Sequence, residues 1–203
     1  MKKILQIESS IKSQNSFSNQ LSALLLEKIT AAHPDHQIKT RNLSETPLPH
    51  LTDAHFAAFL AAPETRTERQ TVDVKVSDEA IAELMDADII VLAVPFYNFG
   101  IPSTLKAWVD HIARAGITFR YDANGAEGLV KNKKVYLAIA SGAVYSEGPM
   151  KGYDFAEPYM RAMLGFLGMT DITTIRVEGT SIPGVTETAL SKAVDKINEL
   201  ALA

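Results

Sequence analysis

The 203-residue chain has no cysteine, and no glycine before Gly100. Without cysteine there is no disulfide, no thiolate metal ligand and no cysteine nucleophile, which suits a reducing compartment. Without an early glycine, the first loop cannot carry the Gly-rich fingerprint of a dinucleotide-binding fold or the Gly-Lys signature of a P-loop. We therefore expect no pyrophosphate pressed against bare backbone at the start of the chain.

Long apolar runs and basic blocks are also missing. No stretch approaches the ~20 apolar residues of a membrane-spanning helix, and the apolar run within MKKILQIESSIK is too short for a signal peptide. The net charge is −4, with 20 basic and 24 acidic residues, and no block of basic residues is long enough to favour binding to nucleic acid. We expect a cytoplasmic protein that binds neither membranes nor nucleic acid.

Apolar segments alternate with amphipathic segments five times along the chain. The segment ADIIVLAVP, residues 87–95, is typical of a strand buried on both faces of a parallel sheet. The alternation predicts an α/β fold with helices on both faces of a parallel sheet, in one domain. Between the second and third strands, residues 52–85 predict short helices with a break at Ser77–Asp78, and Asn124–Gly125 later predicts a hairpin.

Three loops of unusual composition follow predicted strands, at residues 9–18, 95–101 and 140–152. In an open parallel sheet, ligands bind outside the carboxyl ends of the strands. We expect these three loops to form the ligand site together.

The first loop is rich in hydroxyl groups and leads into a helix. Ser10, Ser16 and Ser18 add side-chain donors near a helix N-terminus, whose free N–H groups and positive dipole end favour an anion. This composition suits one terminal phosphate monoester. The alternative is a polar surface loop in which Ser16 or Ser18 only caps the helix.

The other two loops suit a flat ligand. In PFYNFG, aromatic side chains beside the amide of Asn98 could hold a planar heterocycle, although Phe96 and Phe99 are also reasonable core residues. In SGAVYSEGPMKG, Gly142 permits close backbone approach, so that N–H groups reach a ring nitrogen or carbonyl. The alternative for this third loop is a flexible crossover.

The chain resembles the FMN-dependent NADH-azoreductases, which are also quinone reductases, over nearly its whole length. The resemblance rests mainly on PFYNFGIPSTLKAWVDHIARAGITFRY, and also on SSI, SFSNQLS, NGAEGLV, GFLGMTDI and VEG. It implies a flavodoxin-like three-layer sandwich with a five-stranded parallel sheet in the order 2-1-3-4-5. It also implies that residues 1–203 form a single FMN-binding domain, and that the protein is a homodimer with one FMN per subunit and both sites at the interface.

The resemblance also assigns FMN contacts to particular residues. Phosphate contacts are expected at Ser10, Ser16, Phe17 and Ser18. Ring contacts are expected at Phe96, Tyr97, Asn98 and Phe99, and further contacts at Ala140, Ser141, Gly142 and Ala143. Some relatives have Ser-Arg-Gly-Gly where this chain has Ala-Ser-Gly-Ala, so the arginine is missing here.

The activity implied by the resemblance is reduction of quinones by two electrons and reductive cleavage of aromatic azo compounds. NADH or NADPH is the expected reductant, in a ping-pong reaction with hydride transfer through N5 of the flavin. Tyr145, Phe119 and Phe166 are expected to border the substrate pocket, the last two from the partner chain, unless they are core residues. The alternative is a flavodoxin-like electron carrier or flavin-binding sensor without enzymatic activity, or a protein that has lost the flavin.

Conventional catalytic groups are not apparent in the sequence. We find no Ser-His-Asp set, no paired catalytic carboxylates and no metal-ligand cluster, so no metal and no catalytic side chain are expected. The five histidines lack the spacing of ligands, and His111 is expected at the surface.

Overall fold

A computed structural model describes residues 1–12, 15–123 and 125–201. Within these ranges, the chain forms strands and helices in an order that begins with a strand and ends with a helix. The strands are β1 Lys2–Glu8, β2 His36–Asn42, β3 Ile89–Pro95, β4 Phe119–Asp122, β5 Gly125–Gly128, β6 Lys134–Ala140 and β7 Asp171–Val177. The helices are α1 Phe17–Ala32, α2 Asp53–Leu60, α3 Glu68–Asp86, α4 Ser103–Ile112, α5 Ala156–Phe166 and α6 Thr186–Glu199.

The main sheet contains five parallel strands in the order β2-β1-β3-β6-β7. Counted along the chain without the separate hairpin, this order is 2-1-3-4-5, so the predicted fold class is confirmed. The hairpin pairs β4 with β5 antiparallel, from Asp122 opposite Gly125 to Phe119 opposite Gly128. Asn124, part of the predicted turn, lies outside the described residues.

Each face of the sheet carries its own hydrophobic core, because successive side chains of a strand point to opposite faces. Ile4, Ile89 and Val91 pack with residues of α1 and α6. Leu5 and Ile90 belong to the other core, together with residues of α3, α4 and α5. All of β3 is buried, as the apolar run of its sequence predicts. Because the five strands are parallel, their carboxyl ends all lie at one rim of the sheet.

The prediction of a helix break at Ser77–Asp78 is wrong, because α3 runs without interruption from Glu68 to Asp86. Ser77 is buried, and its hydroxyl donates to the carbonyl of His111. Arg114 donates to the hydroxyl of Ser77 at 3.2 Å and also to Asp78. Polar residues in the middle of this helix thus have partners from α4 and the residues just after it.

The prediction that His111 lies at the surface is also wrong, since His111 is fully buried. The segment before α2 and α2 itself cover this part of α4. Nε2 of His111 donates to the carbonyl of Pro49 at 2.9 Å. The rings of His55 and Phe59 approach the imidazole edge-on, with centroids at 5.3 and 5.9 Å. Sequence spacing gave no indication that this segment folds back over α4.

None of the helices in the described ranges combines the length and apolar character required to cross a bilayer.

Candidate functional site

The loops that follow β1, β3 and β6 meet at the carboxyl-end rim of the sheet. The hydroxyls of Ser10 and Tyr97 share a hydrogen bond of 3.2 Å, which joins the first loop to the second. The N–H of Phe96 donates to the carbonyl of Ala140 at 2.8 Å, which joins the second to the third. The three loops expected to act together are therefore direct neighbours.

The serine loop ends in the N-cap of α1. Ser16 has extended backbone angles and accepts a hydrogen bond from the N–H of Asn19 at 3.3 Å. The hydroxyl of Ser18, already inside the helix, lies 2.9 Å from that of Ser16. Both serines are buried, and Phe17 between them packs on the core beneath α1. Ser16 is thus the capping residue, which is compatible with a further role in anion binding.

This helix end suits a phosphate with a hydroxylated tail. The first N–H groups of a helix lack partners within the helix and favour an anion. Two adjacent hydroxyls, on Ser16 and Ser18, add polar groups that donate as readily as they accept. In the described part of the chain, Oδ1 of Asn19 is buried without a hydrogen-bond partner. A hydroxyl donor of the ligand would satisfy such an acceptor, so this end of the site fits a ribityl phosphate.

The second loop is a tight turn with unusual backbone angles. Tyr97 and Gly100 exchange two hydrogen bonds of 3.0 Å each. Between them, Asn98 and Phe99 both have positive φ, at +49° and +69°. This left-handed conformation is common for Asn but strained for a bulky residue, and such strain concentrates at functional sites. Among the described residues, the N–H groups of Asn98 and Phe99 find no acceptor, so both can donate to a ligand.

The third loop is fastened to the segment after β7. The N–H of Ser181 donates to the carbonyl of Gly142 at 2.9 Å, and the hydroxyl of Ser141 donates to the carbonyl of Ala143 at 2.8 Å. A Cβ at Gly142 would lie 2.9 Å from Oγ of Ser181, so the close approach favours glycine. Within the described ranges the N–H groups of Gly142 and Ala143 have no partner, and they remain available donors.

Aromatic rings connect the second and third loops. The ring centroid of Tyr145 lies 4.2 Å from that of Phe96, with the planes 31° apart, and 6.3 Å from that of Phe99 in an edge-on contact. The ring centroid of Tyr153 also lies 5.3 Å from that of Phe99. Tyr145 therefore supports the aromatic turn directly. Tyr153 was not predicted from the sequence, because its contact with Phe99 depends on the path of the third loop.

Phe119 and Phe166 lie away from this turn within the chain. Their ring centroids are 4.7 Å apart, and both side chains pack on the core of the α3–α5 face. Within the single chain, Phe119 and Phe166 are therefore core residues. A contribution of either ring to the site of a partner subunit stays a prediction.

A largely apolar cleft of about 890 Å³ opens beside the aromatic turn. Its lining comes from the first loop, the turn, the start of α4 and the start of α5. The side chains that make it apolar include Ile11, Tyr97, Ile101, Phe155 and Tyr159. A flat aromatic molecule bound at the turn would thus have a space of suitable character next to it.

An ion-pair network next to the third loop was missed by the sequence analysis. Arg176 on β7 contacts the carboxylates of Asp154, Glu157 and Glu178. Burial raises the pKa of Glu157, but hydrogen bonds from Thr174, Arg176 and Arg161 outweigh it and hold this pKa at about 2. Glu178 directly follows β7, and a charged residue at a strand's carboxyl end is the signal that could have drawn attention to it.

Comparisons with known proteins agree with this architecture. A family model described as "Flavodoxin-like fold" matches residues 2–201. An FMN-dependent NADH:quinone oxidoreductase of Herminiimonas arsenicoxydans is 45% identical over 202 residues, which cover 98% of each chain. A solved azoreductase of Bacillus anthracis is 29% identical with a TM-score of 0.87, over 98% of this chain and 100% of that one. An FMN-dependent NADH-azoreductase of the same species, solved in complex with FMN, is 25% identical with a TM-score of 0.86, over 98% and 97%.

Proposed function

Since this chain belongs to the flavodoxin-like family that includes the FMN-dependent NADH:quinone oxidoreductases, we propose that it is such an enzyme. It binds FMN, uses NADH to reduce quinones by two electrons, and cleaves aromatic azo compounds reductively. The observation that carries this proposal is the rim of the sheet, where a capped helix end lies beside a strained aromatic turn whose N–H donors have no partner in the described part of the chain.

The serine loop would hold the phosphate of FMN. Ser16, Phe17 and Ser18 form the N-terminus of α1, and Ser10 lies earlier in the same loop, where its hydroxyl meets that of Tyr97. The helix dipole adds a favourable interaction with a phosphate, typically worth about 0.3–1 kcal/mol for one charge at a helix end. The residues that match the family's phosphate contacts thus have the chemistry that this end of the ligand requires.

The aromatic turn and the third loop would hold the ring. Phe96, Tyr97, Asn98 and Phe99 offer flat apolar surface, one amide and two free N–H groups. The backbone of Ala140, Ser141, Gly142 and Ala143 adds two more free donors at the neighbouring strand end. N–H groups placed along a ring stabilise negative charge that develops on it, as in an oxyanion hole.

When bound, FMN supplies a ring that takes up two electrons and a proton as hydride and releases them to an acceptor. The work of the chain's own residues is then to bind, orient and exclude water. The apolar cleft beside the turn, with Ile101, Phe155 and Tyr159 in its wall, excludes water from the place where a nicotinamide or an aromatic acceptor would lie. A single place used in turn by both substrates implies ping-pong kinetics.

Several finer points belong to the same proposal. The active protein is a homodimer of single-domain subunits in the cytoplasm, and NADPH is an alternative reductant. Support for the dimer comes from two exposed apolar side chains in the wall of the cleft, Ile11 and Phe155. Phe119 and Phe166, together with Tyr145, are proposed to border the substrate pocket, the first two from the partner subunit.

The test is an anaerobic titration of the purified protein reconstituted with FMN. Addition of NADH should bleach the flavin absorbance, and a quinone should restore it. Steady-state quinone reduction should give parallel lines in double-reciprocal plots. A protein that takes up FMN but turns over no quinone or azo dye would be an electron carrier or sensor, and one that takes up no FMN would overturn both flavin interpretations.

A further inference from the structure

Glu178 holds the backbone of the segment that follows β6. Its Oε1 accepts hydrogen bonds from the N–H groups of Tyr145 at 2.8 Å and Ser146 at 2.9 Å. Its Oε2 accepts a hydrogen bond from the hydroxyl of Ser146. Hydrogen bonds to a charged group are stronger than those between neutral groups. One carboxylate thus fixes two consecutive residues of the third loop.

Tyr145, one of these two residues, is the residue that supports the aromatic turn. Tyr145 places its ring 4.2 Å from Phe96 and edge-on to Phe99. The position of a side chain follows the position of its backbone, because the side-chain rotamers are few. The carboxylate of Glu178 therefore acts on the turn through Tyr145.

Glu178 is itself held by Arg176, which also reaches the start of α5. Nη1 of Arg176 donates to Oε1 of Glu178 at 3.2 Å, and Nη2 donates to Asp154. Oδ1 of Asp154 accepts from the N–H groups of Ala156 at 3.0 Å and Glu157 at 3.1 Å, the first two residues of α5. One arginine therefore orients both the third loop and the first turn of α5.

The residue just before α5 also holds the aromatic turn. The N–H of Phe155, the residue just before α5, donates to the carbonyl of Phe99 at 3.1 Å. Asp154, which precedes Phe155, is the residue that Arg176 contacts. Two of the contacts that hold the strained turn, the ring of Tyr145 and the backbone of Phe155, thus lead back to Arg176.

We propose that Glu178, oriented by Arg176, is a positioning residue for the flavin: it places Tyr145 against Phe96 and Phe99 before the cofactor binds. The proposal rests on the proposed function, because FMN is the ligand that the turn receives. A loop ordered in advance loses less conformational entropy on binding, so the affinity for its ligand is higher. In this proposal Glu178 acts on the flavin only through the third loop and not by direct contact with the flavin or the substrate.

The experiment measures FMN affinity of the full-length apoprotein by fluorescence titration. Glu178→Ala removes all three hydrogen bonds to the loop and should raise the dissociation constant for FMN about tenfold. Glu178→Gln should stay within about threefold of the wild type, since its amide oxygen still accepts from both N–H groups. Glu178→Asp keeps the charge beside Arg176 but shortens the reach, so it should weaken FMN binding as alanine does.

Glu83→Ala is the matched control. Glu83 is as buried as Glu178, with side-chain exposures of 9% and 12%, and it is also paired with an arginine. Arg41 donates to it at 2.6 and 2.8 Å, but this pair lies by β2, at the opposite edge of the sheet. If loss of a buried ion pair is enough to weaken FMN binding, Glu83→Ala and Glu178→Ala should both bind FMN less tightly. If Glu178 is a positioning residue, Glu178→Ala should bind FMN less tightly and Glu83→Ala should not.

A second measurement does not depend on the flavin. Amide hydrogen exchange in the apoprotein should be faster at Tyr145 and Ser146 in Glu178→Ala and Glu178→Asp, and unchanged in Glu178→Gln and Glu83→Ala. A wild type that binds no FMN would refute the proposed function, whatever the exchange rates. A wild type that binds FMN, with Glu178→Ala or Glu178→Asp variants of equal affinity, would refute the positioning role alone.

Discussion

At the scale of single residues, the turn between β3 and α4 is the most informative feature. Asn98 and Phe99 both adopt positive φ, and neither is glycine. A left-handed conformation costs a bulky residue about 1–3 kcal/mol, which the surrounding structure must supply. The contacts of Phe99 with Tyr145, Tyr153 and the N–H of Phe155 account for how the turn is maintained.

Asn98→Gly separates the amide of Asn98 from its backbone conformation. Glycine accepts positive φ without strain, so the melting temperature should change little. If the amide binds the flavin ring, its loss should weaken FMN affinity about tenfold. Fluorescence titration and thermal melting measure the two effects.

Asn132→Gly is the control for that variant. Asn132 also has positive φ, at +61°, but lies exposed in the loop before β6, at the opposite end of the sheet. Its FMN affinity should equal that of the wild type. Equal affinity in Asn98→Gly as well would show that the amide makes no contact with the ring.

At the scale of elements, α2 and the segment before it dock on His111. Burial lowers the pKa of His111, opposed by the hydrogen bond to Pro49 and reinforced by His55. The unfolded chain therefore takes up a proton near the ordinary value of 6.5 while the folded chain does not. More protons bind to the unfolded state, so stability falls as the pH drops below 6.5.

His111→Gln should reduce this pH dependence. Glutamine keeps a donor for the carbonyl of Pro49 but does not titrate. Between about pH 7.5 and about pH 5.5, the melting temperature of the variant should fall less than that of the wild type. His36→Gln, which replaces a partly exposed histidine bonded to the carbonyl of His33, is the matched control for the substitution itself. An equal fall in all three proteins would contradict the lowered pKa of His111 in the folded chain.

The ion-pair network between α5 and β7 contains an acidic group, Glu157, whose stabilising effect is lost only in strong acid. The pKa of Glu157 falls from 4.5 to about 2 on folding, so its ion pairs stabilise the fold fully above pH 4.5. This contribution is lost as the pH falls through about 2. Glu157→Gln should cost about 1–2 kcal/mol near neutral pH. In denaturant titrations, the difference from the wild type should shrink as the pH drops below 4.5, and a constant difference would contradict the ion-pair assignment.

The elements and their order could be predicted because their causes are local. The run 87–95 predicted β3 since a strand buried on both faces needs continuous apolar residues, and the serine before α1 predicted its cap. The break expected at Ser77–Asp78 and the surface position expected for His111 were wrong because their partners come from distant segments. Arg176, Glu178 and Asp154 escaped prediction for the same reason: only the folded chain brings Glu178 to Tyr145 and Arg176 to Asp154.

At the scale of the whole molecule, the proposed homodimer would explain an exposed apolar side chain beside the site. Phe155 is 60% exposed and lines the apolar cleft next to the turn, where a partner would cover it. Phe155→Asp should weaken the homodimer, and sedimentation equilibrium should show monomers at concentrations where the wild type has twice the chain mass. Phe56→Asp, at a side chain that is 58% exposed on α2 away from the cleft, should leave the dimer intact. Dissociation of both variants, or of neither, would place the interface elsewhere.

The most direct test of the central claim is a crystal structure of this protein soaked with FMN. We predict the phosphate at the N-terminus of α1, against Ser16 and Ser18, with the ring along residues 96–99 and the N–H groups of Asn98 and Phe99 directed at it. Density for FMN at another place, or none at this rim at saturating concentration, would contradict the account.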